Sequence, residues 1–222
     1  MMDLALPERI DRNCWRRMLS RGHEAIEDEG ALSAADGLMD ECERMLLDIA
    51  RPKGTYAFSD CISYEGKSIA RHLEGCAGTV VLGMTLGRSI DERLTRLEVS
   101  DLAMGVVFDT GASLLAEAVC DLFEEKIRAE AMEKGLYMTP RFSPGYGDMP
   151  LTEQRKIISI LDAEKRIGLT LTGGGLMIPL KSITAICGTA DRPVKGSLAT
   201  CEECALWSEC EKRKAGKTCA DK

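Results

Sequence analysis

Two groups of residues in this chain have the types and spacing to do chemistry. At the C-terminus Cys201, Cys204, Cys210 and Cys219 follow a C-x2-C-x5-C-x8-C pattern. Four thiols so close together in a reducing compartment form a metal-site pattern more often than a pair of disulfides. Zinc and an iron–sulfur cluster both accept four cysteines, and spacing alone selects neither. The second group is Arg141 and Tyr146, set about a tight turn. Ser143-Pro144-Gly145-Tyr146 carries Pro at i+1 and Gly at i+2, the type II arrangement. Backbone amides and two large side chains are then expected in one place. A guanidinium held before a rigid turn can grip a carboxylate through two parallel charge-assisted hydrogen bonds. Taken without context, Arg141 also reads as a surface ion pair and Tyr146 as an aromatic capping a turn.

The elements that must position these residues follow from periodicity. An amphipathic helix is predicted over 153–166, with Ile157, Ile160, Leu161 and Glu164 at helical spacing and Gly168 as its stop. The period then changes to two. Leu169 and Leu171 alternate with Thr170 and Thr172, and Ile183, Ala185 and Cys187 alternate with Ser182, Thr184 and Ile186, which predicts two strands. Gly173-Gly174-Gly175 lacks the following helix and Lys-Ser/Thr of a phosphate loop, and reads as a turn between strands.

Upstream, helices are predicted over 8–26 (Ile10, Cys14, Trp15, Met18 and Leu19 inward) and 33–50 (Leu38, Cys42, Met45, Leu46 and Ile49 inward). A short strand or hairpin at 55–64, a short helix at 68–73, a buried strand at 79–86 and a helix at 89–98 come next. Asp109, Thr110 and Gly111 suit the start of a long helix through 130, with Leu115, Val119, Leu122 and Ile127 inward. Glu117 lies on its other side, in line with Leu114, Asp121 and Glu124, where a carboxylate is ordinarily solvated.

With 222 residues, 45% of them hydrophobic, the chain can bury one full core, with room for a small appendage. The apolar strand pattern gives way near Ala190 to a Cys- and Lys-rich stretch, which divides the chain into 1–190 and a metal-binding tail, 191–222. No run of 18 apolar residues is present and the N-terminus lacks a cationic and apolar leader, so no membrane span or signal peptide is expected and the localisation expected is cytoplasmic. A formal net charge of −7 argues against a nucleic-acid backbone as partner. Cys14, Cys42, Cys61, Cys76, Cys120 and Cys187 are scattered without ligand spacing and are expected to be buried thiols.

In order and spacing, Arg-x-x-Pro-Gly-Tyr, a helix, Ile-Gly-Leu-Thr-Leu-Thr and Met-x-Pro-x-x-Ser resembles the activation domain of vitamin B12-dependent methionine synthase. Arg141, Pro144, Gly145, Tyr146, Gly168, Leu171, Thr172, Met177, Pro179 and Ser182 carry the resemblance, over residues 140–188. It implies an α+β fold, a twisted and largely antiparallel sheet packed with long helices, which the alternation of elements also predicts. It also implies a stand-alone relative that binds S-adenosylmethionine and assists the reductive reactivation or remethylation of a corrinoid (cobalamin) methyltransferase partner, as an activator or associated subunit.

By that resemblance Arg141 anchors the ligand carboxylate, the backbone around Ser143 and Gly145 reads the adenine, and Glu117 balances the ammonium or sulfonium. Tyr146, the catalytic candidate, lies near the methyl and the partner cofactor. A redox role beside a corrinoid protein tilts the cysteine tail towards iron–sulfur, with an electron donor as a further partner. Two departures bear on this. The Asp-x-His-x-x-Gly signature that ligates cobalt is missing, since His72-Leu73-Glu74-Gly75 is preceded by Ala70, so cobalamin is expected only through a partner. Where the family runs through Pro, Cys and His after its tyrosine, this chain has Gly147-Asp148-Met149-Pro150. A non-enzymatic binding module with a zinc-stabilised tail and a detached subunit of a split methionine synthase are the alternatives.

Overall fold

The computed structural model describes residues 1–20 and 29–196, with side chains from residue 35 onward in the second stretch. Cys201, Cys204, Cys210 and Cys219 lie outside the described residues, as does the end of the helix expected over 8–26. The fold is α+β. Strands β1 (Met2–Asp3), β2 (Lys53–Asp60), β3 (Gly78–Thr85), β4 (Tyr137–Met138) and β7 (Ser182–Ala190) form an antiparallel sheet in the order β1-β2-β3-β7-β4. Strands β5 (Thr170–Leu171) and β6 (Met177–Ile178) form a separate hairpin, and the Gly-rich stretch is the turn between them. The helices are α1 (Arg12–Leu19), α2 (Glu29–Ile49), α3 (Lys67–His72), α4 (Arg88–Ser100), α5 (Leu102–Glu133), α6 (Gln154–Leu161) and α7 (Ala163–Ile167).

Chain contacts divide the molecule into two units. The first comprises Met1–Thr55, Met84–Lys126 and Ala163–Ile183. Its core holds Trp15, Met39, Leu46, Ile90, Phe108 and Leu115, all fully buried. Each such side chain is worth about 1.5–3 kcal/mol in area removed from water. The stripe of α4, Ile90, Leu94 and Leu97, is buried as its spacing predicts, and α2 packs on α4. Asp11 accepts from the Cys14 amide and so starts α1.

Helix α5 differs from its predicted form at both its start and its face. It begins at Leu102, where Asp101 accepts from the Met104 amide, and runs unbroken through Asp109, Thr110 and Gly111. The polar side chains that resemble a cap are satisfied within the helix: Thr110 donates to the Val106 carbonyl and Ser113 to that of Asp109. Gly111 stands there because Trp15 occupies the space of a side chain, a Cβ at 111 falling 2.1 Å from its ring. The buried stripe is Leu115, Val119, Phe123 and Ile127, not Leu122, which is 40% exposed. Successive steps of four keep to one face, and the Phe123 ring lies over Gly54 of β2. By length and composition α5 could cross a membrane, which is weak evidence alone, and its Leu115, Val119, Phe123 and Ile127 are buried inside the protein.

The second unit comprises Tyr56–Gly83, Ile127–Asp162 and the described part of Thr184–Lys222. It contains α3, β4, the loop at 139–150 and α6. The single helix predicted over 153–166 is broken: α6 ends at Leu161, Asp162 follows with a left-handed φ of 47°, and α7 starts at Ala163. Breaking the helix keeps both apolar ends inside, with Ile157 and Leu161 buried before the break and Ala163 and Ile167 after it. Gly168 stops α7, its amide donating to Glu164.

Strand β7 does not alternate. Ala185, Ile186 and Cys187 are all buried because the strand lies between β3 and β4. Among the scattered cysteines, Cys42, Cys120 and Cys187 are buried and Cys14 and Cys76 partly so. Cys61 is exposed, because it falls in the loop after β2.

Candidate functional site

The loop carrying Arg141 to Tyr146 is built from its backbone outward. Phe142 exchanges both hydrogen bonds with Ile186 of β7, each 2.9 Å, and is 3% exposed. One residue later the turn forms as its sequence demands. The Tyr146 amide donates to the Ser143 carbonyl at 3.2 Å, and Gly145 sits at φ 90°, where a side chain would be strained. The Gly145 amide donates to Met149 O and the Met149 amide to Tyr146 O, so the turn closes on itself. Pro144 and Met149 are buried beneath it, while Tyr146 is 63% exposed. Gly145 is exposed, and a notional Cβ there would meet Leu151 Cδ1 at 3.7 Å, an ordinary contact distance. A ligand can therefore approach that backbone directly.

Both ends of the loop are tied down. On the entry side Arg128 donates to the carbonyls of Met138 (2.6 Å) and Thr139 (3.1 Å). The Thr139 amide donates to Gly188 O, and the Gly188 amide to Thr139 Oγ1. His72, fully buried, brings Nε2 within 2.9 Å of both the Pro140 carbonyl and Thr139 Oγ1, and its ring packs tilted against Phe142, centroids 5.1 Å apart. On the exit side Asp148 accepts from the amides of Lys67 and Ser68, both at 2.8 Å, and these bonds hold its carboxyl below the usual range. Beyond it Lys156 donates to Glu153 (2.7 Å) and to Ser63 O (3.1 Å) and sits over the Tyr64 ring. Burial pushes the Tyr64 phenol up to about 12.

The structure thus brings Arg141, Ser143, Gly145 and Tyr146 together in one loop of the second unit, with Arg141 and Ser143 half-buried and Gly145 and Tyr146 exposed. Glu117 lies on α5 in the first unit and is exposed. A cavity of about 340 Å³ in the first unit is lined by Met45, Ser89 and Arg93 among others, and one of about 220 Å³ in the second by Met132, Leu136 and Tyr137. None of the five ligand candidates lines either of them. Among the described residues no group of three or more His, Cys, Asp or Glu is placed to hold a metal ion. His72, the only described histidine, is spent on the loop rather than offered as a ligand.

Sequence reasoning missed Asp148 and Arg128 and noticed His72 only as a failed cobalt ligand. Asp148 is separated from its partners by about eighty residues of chain. Its one local signal is Gly66 before α3, because a bare glycine leaves a first turn whose amides need an outside acceptor.

The fold is shared with a solved structure, "Crystal Structure of the MetH Reactivation Domain bound to AdoHcy", at a TM-score of 0.61 and 18% identity, covering 92% of this chain and 82% of that one. No curated protein matches the chain. Residues 52–195, which include the whole loop and both of its anchors, match the family "Vitamin B12 dependent methionine synthase, activation domain". The chain belongs to that family.

Proposed function

We propose that this protein binds S-adenosylmethionine at the loop of residues 141–146 and assists the reductive reactivation or remethylation of a corrinoid methyltransferase partner. The observation that carries this is a turn fixed at both ends that leaves its glycine exposed and its tyrosine 63% exposed. It occurs in a member of the activation-domain family, and a structure of the same fold was solved with AdoHcy.

The donor set suits the ligand. Arg141 supplies a guanidinium for the carboxylate, and the backbone of Ser143 and Gly145 supplies hydrogen bonds for the adenine edge. Glu117 supplies negative charge for the ammonium or sulfonium. S-adenosylmethionine when bound supplies an activated methyl group, and Tyr146 is the residue we place beside it and facing the partner. Cobalamin comes with the partner; among the described residues the one histidine, His72, is buried and engaged by the loop. Cys201, Cys204, Cys210 and Cys219, in the tail domain 191–222, hold an iron–sulfur cluster or zinc. The protein works in the cytoplasm.

Isothermal titration tests the ligand. Wild type is expected to bind S-adenosylmethionine and AdoHcy, and Arg141→Ala to bind both more weakly. No binding by wild type at saturating ligand, with and without a corrinoid protein, refutes the proposal.

A further inference from the structure

Helix α3 (Lys67–His72) holds the loop by both of its ends. At its C-terminal end His72 Nε2 lies 2.9 Å from the carbonyl of Pro140, the residue before Arg141. At its N-terminal end the amides of Lys67 and Ser68 donate to Asp148, two residues after Tyr146. Six helical residues span about 9 Å, so residues 141–146, folded into a compact turn, are bracketed by two fixed points on one short helix.

The two ends differ in kind. His72 is fully buried and shared among several partners, whereas the exposed Asp148 makes two bonds to amides that the helix itself leaves unsatisfied. Gly66, at φ 122°, lets the chain pass directly beneath. A Cβ there would lie 3.0 Å from Asp148 Oδ1 and 3.0 Å from Met149 Cα.

We infer that Asp148 is a positioning residue for the ligand loop: by gripping α3 it sets the span over which Arg141 and Tyr146 are presented. The inference rests on the proposed S-adenosylmethionine site for its effect on binding, and on the loop alone for its effect on order. Removing the carboxylate frees the exit of the turn, so Gly145, Tyr146 and Met149 lose their closed arrangement and Tyr146 loses its fixed place relative to Arg141, whose own end stays pinned by the Phe142–Ile186 pair. Asparagine keeps one acceptor oxygen and satisfies one of the two amides.

Two measurements on the full chain separate the parts. In ligand-free protein, amide hydrogen exchange at Lys67, Ser68, Gly145, Tyr146 and Met149 is expected to quicken about tenfold or more in Asp148→Ala and less in Asp148→Asn. Unchanged exchange at Gly145, Tyr146 and Met149 overturns the inference whatever the ligand does. In titrations, Asp148→Ala is expected to lose about tenfold in S-adenosylmethionine affinity and Asp148→Asn about threefold. In an Arg141→Ala background, Asp148→Ala is expected to cost less than twofold, because a positioning residue acts through the group it positions. Full, additive losses in both backgrounds would mark a general loss of fold and overturn the inference. So would wild-type affinity in Asp148→Ala with the loop amides released. If wild type binds no ligand, the proposed function falls and the exchange result still decides whether Asp148 orders the loop. Should Asp148→Ala fail to fold, Asp148→Asn carries both measurements.

Discussion

Gly111→Ala is expected to destabilise the protein, although it removes a poor helix former from the middle of α5. In an open helix the exchange would stabilise by about 1 kcal/mol. Here the new Cβ would lie 2.1 Å from Cζ2 and 2.5 Å from Cη2 of Trp15, against the roughly 3.5–4 Å at which carbon atoms meet without strain. The ring cannot swing away cheaply. Trp15 is fully buried and its Nε1 donates to the Val107 carbonyl at 3.1 Å, one turn before Gly111. Overpacking of this sort costs about 1–3 kcal/mol, and displacing the indole hydrogen bond about 1 more. After the helix gain is subtracted, a net loss of about 1–3 kcal/mol remains. Urea unfolding followed by circular dichroism measures it. Trp15→Phe shortens the ring that clashes, so the double variant should be more stable than the sum of the single losses by about 1 kcal/mol. A Gly111→Ala protein as stable as wild type, or a strictly additive double variant, would refute the packing argument.

Arg141→Ala should weaken S-adenosylmethionine binding by about 1.5–3 kcal/mol, or ten- to hundredfold, and Arg141→Lys should recover part of this, since an ammonium keeps the charge and loses the fork. Titration with a ligand analogue lacking the carboxylate, which should not distinguish wild type from Arg141→Ala, checks the assignment. Changing Cys201, Cys204, Cys210 and Cys219 together to serine should abolish metal content, measured by elemental analysis of anaerobic protein. A chain ending at Gly196, which lies against His72 and Thr139, should keep the thermal transition of the full chain. The Tyr56 phenol donates to Glu130, and that bond with burial pushes its pKa up to about 12. The folded state thus holds the proton longer than the unfolded chain, whose phenol ionises near pH 10. The stabilisation is complete below that pH and is lost as pH rises towards 12. The stability gap between wild type and Tyr56→Phe should close over that window in urea titrations, and a gap independent of pH would count against the bond.

Much of the loop was legible because it is local. Proline fixes one dihedral and glycine permits the next, so four letters dictate a turn whose hydrogen bond the structure then contains. The family followed from the same letters, because spacing along 140–188 is a property of the chain alone. Helix α4 and strand β3 were legible for a similar reason, their periods being undisturbed by any special neighbour.

Where neighbours intervene, the sequence misleads. Asp109, Thr110 and Gly111 look like a helix start, yet the glycine answers to Trp15, almost a hundred residues earlier. Residues 153–166 look like one helix, yet the chain bends at Asp162 to bury Leu161 and Ala163 alike. The short edge strands β1 and β4 have no pattern of their own and exist because β2 and β7 offer them hydrogen bonds.

By itself, then, the sequence determined the turn, the family and the order of the main elements, all set by short-range dihedral preferences and spacing. Only the tertiary structure decided what holds that turn in place. Asp148 on the amides of α3, His72 on Pro140 and Arg128 on Met138 and Thr139 are hydrogen bonds between separate segments. Such bonds depend on where the folded chain brings donors and acceptors together, and no local pattern of letters encodes that.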